Sequence, residues 1–145
     1  MKFDFCIGNP PYQEDRIGDS NTATPVYNSF IDAAYEVSEK TMLITPARFL
    51  FNAGYTPKEW NKKMLNNEHL KVVSYMPNSG SVFNGVEIKG GVAVTYRDEQ
   101  KVLGPIRVFT QYEEVNEILN KVLNIEGFES IMNIVVTSFA YHFTK

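Results

Sequence analysis

The chain has 145 residues, 43% of them hydrophobic and 13% aromatic, enough for one real core and hardly for two. Its 14 basic residues against 17 acidic ones leave a net charge of -3, without the positive excess that a self-sufficient nucleic-acid binder needs. A lone cysteine, Cys6, excludes a disulfide framework and a cysteine-cluster metal site, and no apolar run is long enough to span a membrane. A soluble, cytoplasmic protein is expected.

The first element, FDFCIG at residues 3–8, carries apolar residues on both parities. That is the pattern of a parallel strand covered on both faces, with Cys6 as a small core residue. Pro10 and Pro11 must end it. After a polar loop over residues 13–23, TPVYNSFIDAAYEVSEK predicts a helix. Thr24 is its expected N-cap, Pro25 its first residue, and Val26, Tyr27, Phe30, Ile31, Ala34 and Val37 its apolar stripe. TMLITP reads as a second buried strand, and TPKEWNKKMLNN as a helix opened by a capping box of Thr56 and Glu59. LKVVSYMP and GGVAVTYRD read as two strands, joined by a loop over residues 78–89 long enough to be functional.

GPIRVFT is expected to form a short strand, and TQYEEVNEILNKVLN an amphipathic helix with a second capping box of Thr110 and Glu113. The tail over residues 130–145 is apolar enough to need a partner. Strand, helix, strand, helix and a strand pair predict an α/β fold: half of a doubly wound sheet with an antiparallel hairpin at one edge, plus a short α+β tail. The character changes at residues 100–104, which divides the chain into 1–99 and 100–145.

The first strand runs into Asn9-Pro10-Pro11-Tyr12. A strand that merely stops at a surface Pro-Pro turn is the plainer reading of four residues. Their position favours function, because ligands of open α/β sheets sit at the carboxyl ends of the strands. This NPPY segment resembles the catalytic motif of S-adenosylmethionine-dependent methyltransferases that act on exocyclic or amide nitrogens. PVYNSFIDAAYEV resembles the family's next helix and ITPARFL its following strand and turn, while GSVFNGVEIKGGVAVTY is similar to a later motif of adenine-specific methylases of type II restriction-modification enzymes.

The resemblance covers about two thirds of the chain, residues 1–98. It implies a Rossmann-like sheet and a catalytic loop of Asn9, Pro10, Pro11 and Tyr12. It also implies that Tyr12 and Phe83 stack on the two faces of a flipped adenine, and that Phe30, with Asn9, helps to hold the cofactor. Phe30 serves equally well as a core residue of its helix. Phe83 lies in a loop between two glycines and has no stripe to belong to. No G-x-G occurs in the chain, so the cofactor fingerprint that family members carry before the catalytic motif has no match. The expectation is therefore the C-terminal catalytic half of a longer methylase, inactive alone, with residues 100–145 leading toward a target-recognition region.

Other signals are weaker. Pro77-Asn78 with Glu87-x-Lys89 has the outline of a nuclease metal site, but an asparagine stands where a hard carboxylate is required, and methyl transfer needs no metal. Gly80 and Gly85 have phosphate-loop spacing with Val86 in place of the lysine. His69 and His142 lack ligand spacing. Arg48 and Lys89 flank the expected cleft as candidate DNA contacts, though a solvated charge is the simpler story for each.

The leading expectation is an adenine-specific DNA methyltransferase with double-stranded DNA as partner. A protein-glutamine or ribosomal-RNA methyltransferase using the same loop is the alternative within enzymes, and a non-catalytic binding remnant the alternative outside them. Half a sheet would leave the first strand as a bare apolar edge, so self-association is expected as well.

Overall fold

The computed structural model describes residues 2–14, 23–131 and 134–135. His142 and most of the 130–145 tail lie outside the described residues, as do residues 15–22 of the first loop. The chain divides into two compact units, Met1–Phe109 and Thr110–Lys145. The seam falls after Phe109, because residues 103–107 bind back to the first unit: Leu103 and Gly104 donate backbone N–H groups to Glu68, and Arg107 to Leu65.

The first unit runs β1 (Phe3–Gly8), α1 (Tyr27–Val37), β2 (Ser38–Pro46), α2 (Lys58–Leu65), β3 (Leu70–Met76) and β4 (Val92–Asp98). They form one mixed sheet in the order β1-β2-β4-β3. β1 is parallel to β2, and β4 is antiparallel to both β2 and β3. β1, β2 and β3 therefore all point the same way, and their carboxyl ends share one edge of the sheet. The expected strand pair is present, with its second strand inserted beside β2 and a bulge between Val72 and Ser74.

The core lies between one face of the sheet and the two helices. Tyr27 of α1, Trp60 of α2 and Phe49 of the intervening turn form an aromatic cluster with centroids 5.4–6.4 Å apart, near the edge-to-face geometry that the ring quadrupole favours. The indole N–H of Trp60 donates to Asp32 at 2.9 Å, and Lys63 pairs with the same carboxylate at 2.9 Å, so α1 and α2 are joined directly. Ile31, Leu43, Met64 and Leu70 are buried beneath them, and Cys6 packs against their edge.

β1 departs from the expected two-sided burial. Phe3, Phe5 and Ile7 are 67%, 61% and 73% exposed. Both helices lie over the other face, and β1 pairs on one side only, so among the described residues nothing covers this row. By register, Phe5 sits beside Lys40 and Ile7 beside Met42, and the Lys40 ammonium lies 5.2 Å from the Phe5 ring.

The starts of α1 and α2 also differ. Val26 N–H binds Tyr12 O and Glu14 N–H binds Thr24 O, so residues 24–26 pair back on residues 12–14 and α1 begins at Tyr27, with Val26 in the N-cap place. Pro57 holds the N-cap place of α2, while Thr56 is buried and donates to Asn61 Oδ1 at 2.7 Å. α1 also ends sooner than expected: Ser38 is extended, its hydroxyl donating to Ala34 O at 2.7 Å, and it opens β2.

GPIRVFT forms no strand. Gly104 and Arg107 adopt positive φ of 87° and 57°, which breaks an extended run. In the second unit α3 spans Glu113–Leu123 with Tyr112 in the N-cap place, and Thr110 turns its hydroxyl to Tyr112 O and Asn116 Oδ1.

Candidate active site

At the shared carboxyl edge, loops from separate parts of the first unit surround a cleft of about 860 Å³. Asn9, Pro10, Pro11 and Tyr12 line it from the end of β1, Pro46 and Arg48 from the end of β2, and residues 86–89 from the loop between β3 and β4. A volume of this size lies in the upper part of the roughly 300–1,000 Å³ range of ligand pockets.

Asn9 is exposed, so its side-chain amide is free to meet a ligand, and Pro10 is half-buried. The two prolines fix φ and remove two backbone donors, which leaves this loop rich in acceptors. Tyr12 is half-buried, with its hydroxyl donating to Ile44 O at 3.4 Å. Burial pushes its phenol pKa above the ordinary 10.0, so it stays neutral under physiological conditions.

The loop between β3 and β4 is tied internally. Ser79 is buried, accepting from Ile88 N–H at 2.7 Å and donating to Val86 O at 2.9 Å. One hydroxyl thus closes the base of the segment that carries Phe83. Gly91 completes the tie: Ala47 N–H donates to its carbonyl at 3.0 Å, and a Cβ there would stand 2.3 Å from Met76 O.

The sequence-derived candidates do not all converge. Asn9, Pro10, Pro11, Tyr12, Arg48 and Lys89 line the one cleft. Phe83 meets Tyr12 edge-on, centroids 6.2 Å apart and planes at 70°, and is not itself part of the lining. A ring held between two parallel faces needs them about 7–8 Å apart, so a base enters only if one of these rings turns. Phe30 is 46% exposed on α1, outside this cleft and outside the core. Its helix buries Tyr27, Ile31 and Ala34 instead.

One cleft residue escaped the sequence reading: Tyr55 is a largely exposed aromatic in the loop before α2, while Glu87, read only within the outline of a nuclease metal site, adds a carboxylate to the lining. The signal that singled out Phe83, a loop aromatic beside a glycine with no stripe to join, applies equally to Tyr55. Of the other candidates, His69 binds Lys101 O through Nδ1 at 3.0 Å, and Asn78 caps its own turn through Gly80 N–H. Among the described residues no group of three or more His, Cys, Asp or Glu side chains gathers as a metal cluster, and no helix is long and apolar enough to cross a membrane.

The residues that form β1, the Asn9–Tyr12 loop, α1, β2, α2 and β3 are those by which the chain is classified. Residues 1–83 match the Eco57I restriction-modification methylase family, more than half of the chain, and the chain belongs to that family. That family is one of restriction-modification methylases. Over 95 residues it is 33% identical to a protein of Mycoplasma pneumoniae described as an uncharacterized adenine-specific methylase. The matched stretch covers 63% of this chain and 22% of that protein, so the chain spans only about a fifth of the length of this curated relative. No solved structure matches significantly.

Proposed function

We propose that the chain is the catalytic half of an adenine-specific DNA methyltransferase, acting on the exocyclic amine of an adenine turned out of its duplex. The observation that carries this reading is the exposed Asn9 and half-buried Pro10 opening, with Tyr12 beside them, into the cleft at the carboxyl ends of β1 and β2. The adenine-specific description of the Mycoplasma relative supports the choice of base.

An adenine amine is a poor nucleophile because its lone pair is delocalised into the ring. Asn9 Oδ1 and the Pro10 carbonyl each accept one of its two N–H bonds. That favours a pyramidal nitrogen and frees the lone pair, so both contacts strengthen as the transition state is approached. Tyr12 stacks on the extruded base, whose removal from the duplex is the usual route to such chemistry. Phe83 beside Tyr12 favours a planar base over a glutamine amide as the acceptor.

S-adenosylmethionine, when bound, supplies an electrophilic methyl group. Asn9 at the cleft wall would hold it on one side, while Phe30, exposed on α1, lies outside that cleft. The remaining walls belong to a further segment that completes the sheet against β1. The uncovered row of Phe3, Phe5 and Ile7 supports that arrangement. With a net charge of -3, most of the grip on double-stranded DNA also comes from outside this chain.

The test is Asn9→Ala in a polypeptide that includes the completing segment. Turnover falls about 10²–10³-fold, as for loss of one transition-state hydrogen bond, while cofactor affinity is nearly unchanged. Equal losses in both would refute the role.

A further inference from the structure

The turn after β2 holds a guanidinium in a seat made from two glycines. Arg48 opens the short 3₁₀ turn Arg48–Phe51 and is half-buried at the cleft wall. A Cβ at Gly90 would stand 2.7 Å from Arg48 Cγ. One at Gly54 would stand 3.4 Å from Arg48 Cβ and 3.6 Å from Nε. Both glycines adopt positive φ, 86° and 94°, so two separate loops close on the arginine stem in a way that glycine alone permits. The Gly90 side of the seat is fixed in turn, with Tyr75 Oη donating to Gly90 O at 3.3 Å.

Among the described residues this side chain meets only the weak electrostatic influence of the Tyr27 phenol. The Arg48 guanidinium makes no hydrogen bond or ion pair with the described residues, where the ion pairs are Lys2 with Glu99 and Lys63 with Asp32. Holding an arginine in one direction sacrifices rotamer freedom, and no hydrogen bond or ion pair with the described residues offsets it. Lys89 lines the same cleft, as does the exposed Glu87, so these three side chains sum to +1 in a chain of -3. A planar, preorganised fork backed by a second cation suits a phosphate oxygen pair.

We infer that Arg48, with Lys89 beside it, seats a backbone phosphodiester of the nucleic acid strand that delivers its base to the Asn9–Tyr12 cleft. The inference rests on the reading of that cleft as a nucleotide site. It assigns the strand's anchoring to the β2 turn and leaves the chemistry to the β1 loop.

The experiment measures binding of the chain, joined in one polypeptide to the segment that completes its sheet, to a labelled short duplex carrying one unpaired adenine, by fluorescence anisotropy over a series of salt concentrations. For Arg48→Gln the plot of log affinity against log salt becomes shallower by about one unit, the value for one lost phosphate contact. Arg48→Lys keeps the slope and binds several-fold more weakly, since the charge remains and the fork is lost. Gly90→Ala weakens binding with Arg48 still present, and circular dichroism verifies that it folds.

An unchanged slope in Arg48→Gln overturns the inference, as does failure of that joined polypeptide to bind the duplex at all. So does a calorimetric loss of S-adenosylmethionine binding in Arg48→Gln with DNA binding intact, which would make the seat one for the cofactor carboxylate. Methyl transfer is scored separately. A slope change without transfer to adenine leaves the phosphate seat standing and removes the methylase reading, and transfer with an unchanged slope does the reverse.

Discussion

The ring of Phe83 stands edge-on to that of Tyr12, 6.2 Å away and inclined by 70°. The two aromatics therefore already contact each other, and a base can reach both faces only by separating them. Tyr12→Ala should cost about 1–3 kcal/mol in binding a duplex with a fluorescent adenine analogue at the target position, and Phe83→Ala a comparable amount. The double variant should lose more than the sum, by about the 0.5–1.5 kcal/mol of an edge-to-face pair, because each single variant already escapes the cost of separating the two rings. Strict additivity would mean that the rings act independently.

Gly91 sets the register between the cleft loop and the sheet. Its φ of 73° and the 2.3 Å approach of a hypothetical Cβ to Met76 O leave no room for a side chain. Gly91→Ala should destabilise the fold by about 1–3 kcal/mol in urea denaturation. Gly85→Ala has the same kind of φ, 75°, with open space around it, and should cost less.

Alkaline pH should unfold the protein in a defined direction. Burial raises the phenol pKa values of Tyr12 and Tyr27 above the ordinary 10.0, and that of Tyr35 further still. A raised folded-state pKa means that the unfolded chain releases these protons first. The stabilisation is therefore fully present below pH 10.0, and is lost as pH rises from there through the folded-state values. Phenolate absorbance should show the midpoint of these tyrosines above that of free tyrosine and coincident with loss of secondary structure.

β1 offers unpaired backbone on one side and a bare row of Phe3, Phe5 and Ile7 on one face. Edges and patches of this kind template association. Light scattering over a dilution series should show the isolated chain self-associating, and Phe5→Lys with Ile7→Lys should shift it to monomer. A wild-type chain that stays monomeric would mean that the row is covered within the same molecule.

Sequence legibility followed how local each cause was. Pro10 and Pro11 end β1 by their own chemistry, and the Asn9–Tyr12 loop lies where the pattern puts it. The α1 start could not be read, because Thr24 and Pro25 carry a good helix-opening signal that pairing with residues 12–14 overrides. Periodicity showed β1 to be apolar on both parities and could not show which face would have a helix over it. The seam at residue 100 looked plausible by composition, yet the hydrogen bonds of Leu103 and Arg107 to the loop and helix before β3 are invisible in the sequence. Arg48 and Lys89 were visible as charges, while the glycine seat that gives Arg48 a direction depends on two loops meeting in space.

The most direct test joins this chain in one polypeptide to the segment that completes its sheet, and incubates it with duplex DNA and S-adenosylmethionine. The DNA is then digested to nucleosides and read by mass spectrometry. The proposed function predicts a methyl group on the exocyclic nitrogen of adenine, abolished or reduced by about 10²–10³-fold in Asn9→Ala. Unmethylated DNA, with the methyl group found on a protein glutamine or on ribosomal RNA instead, would contradict it.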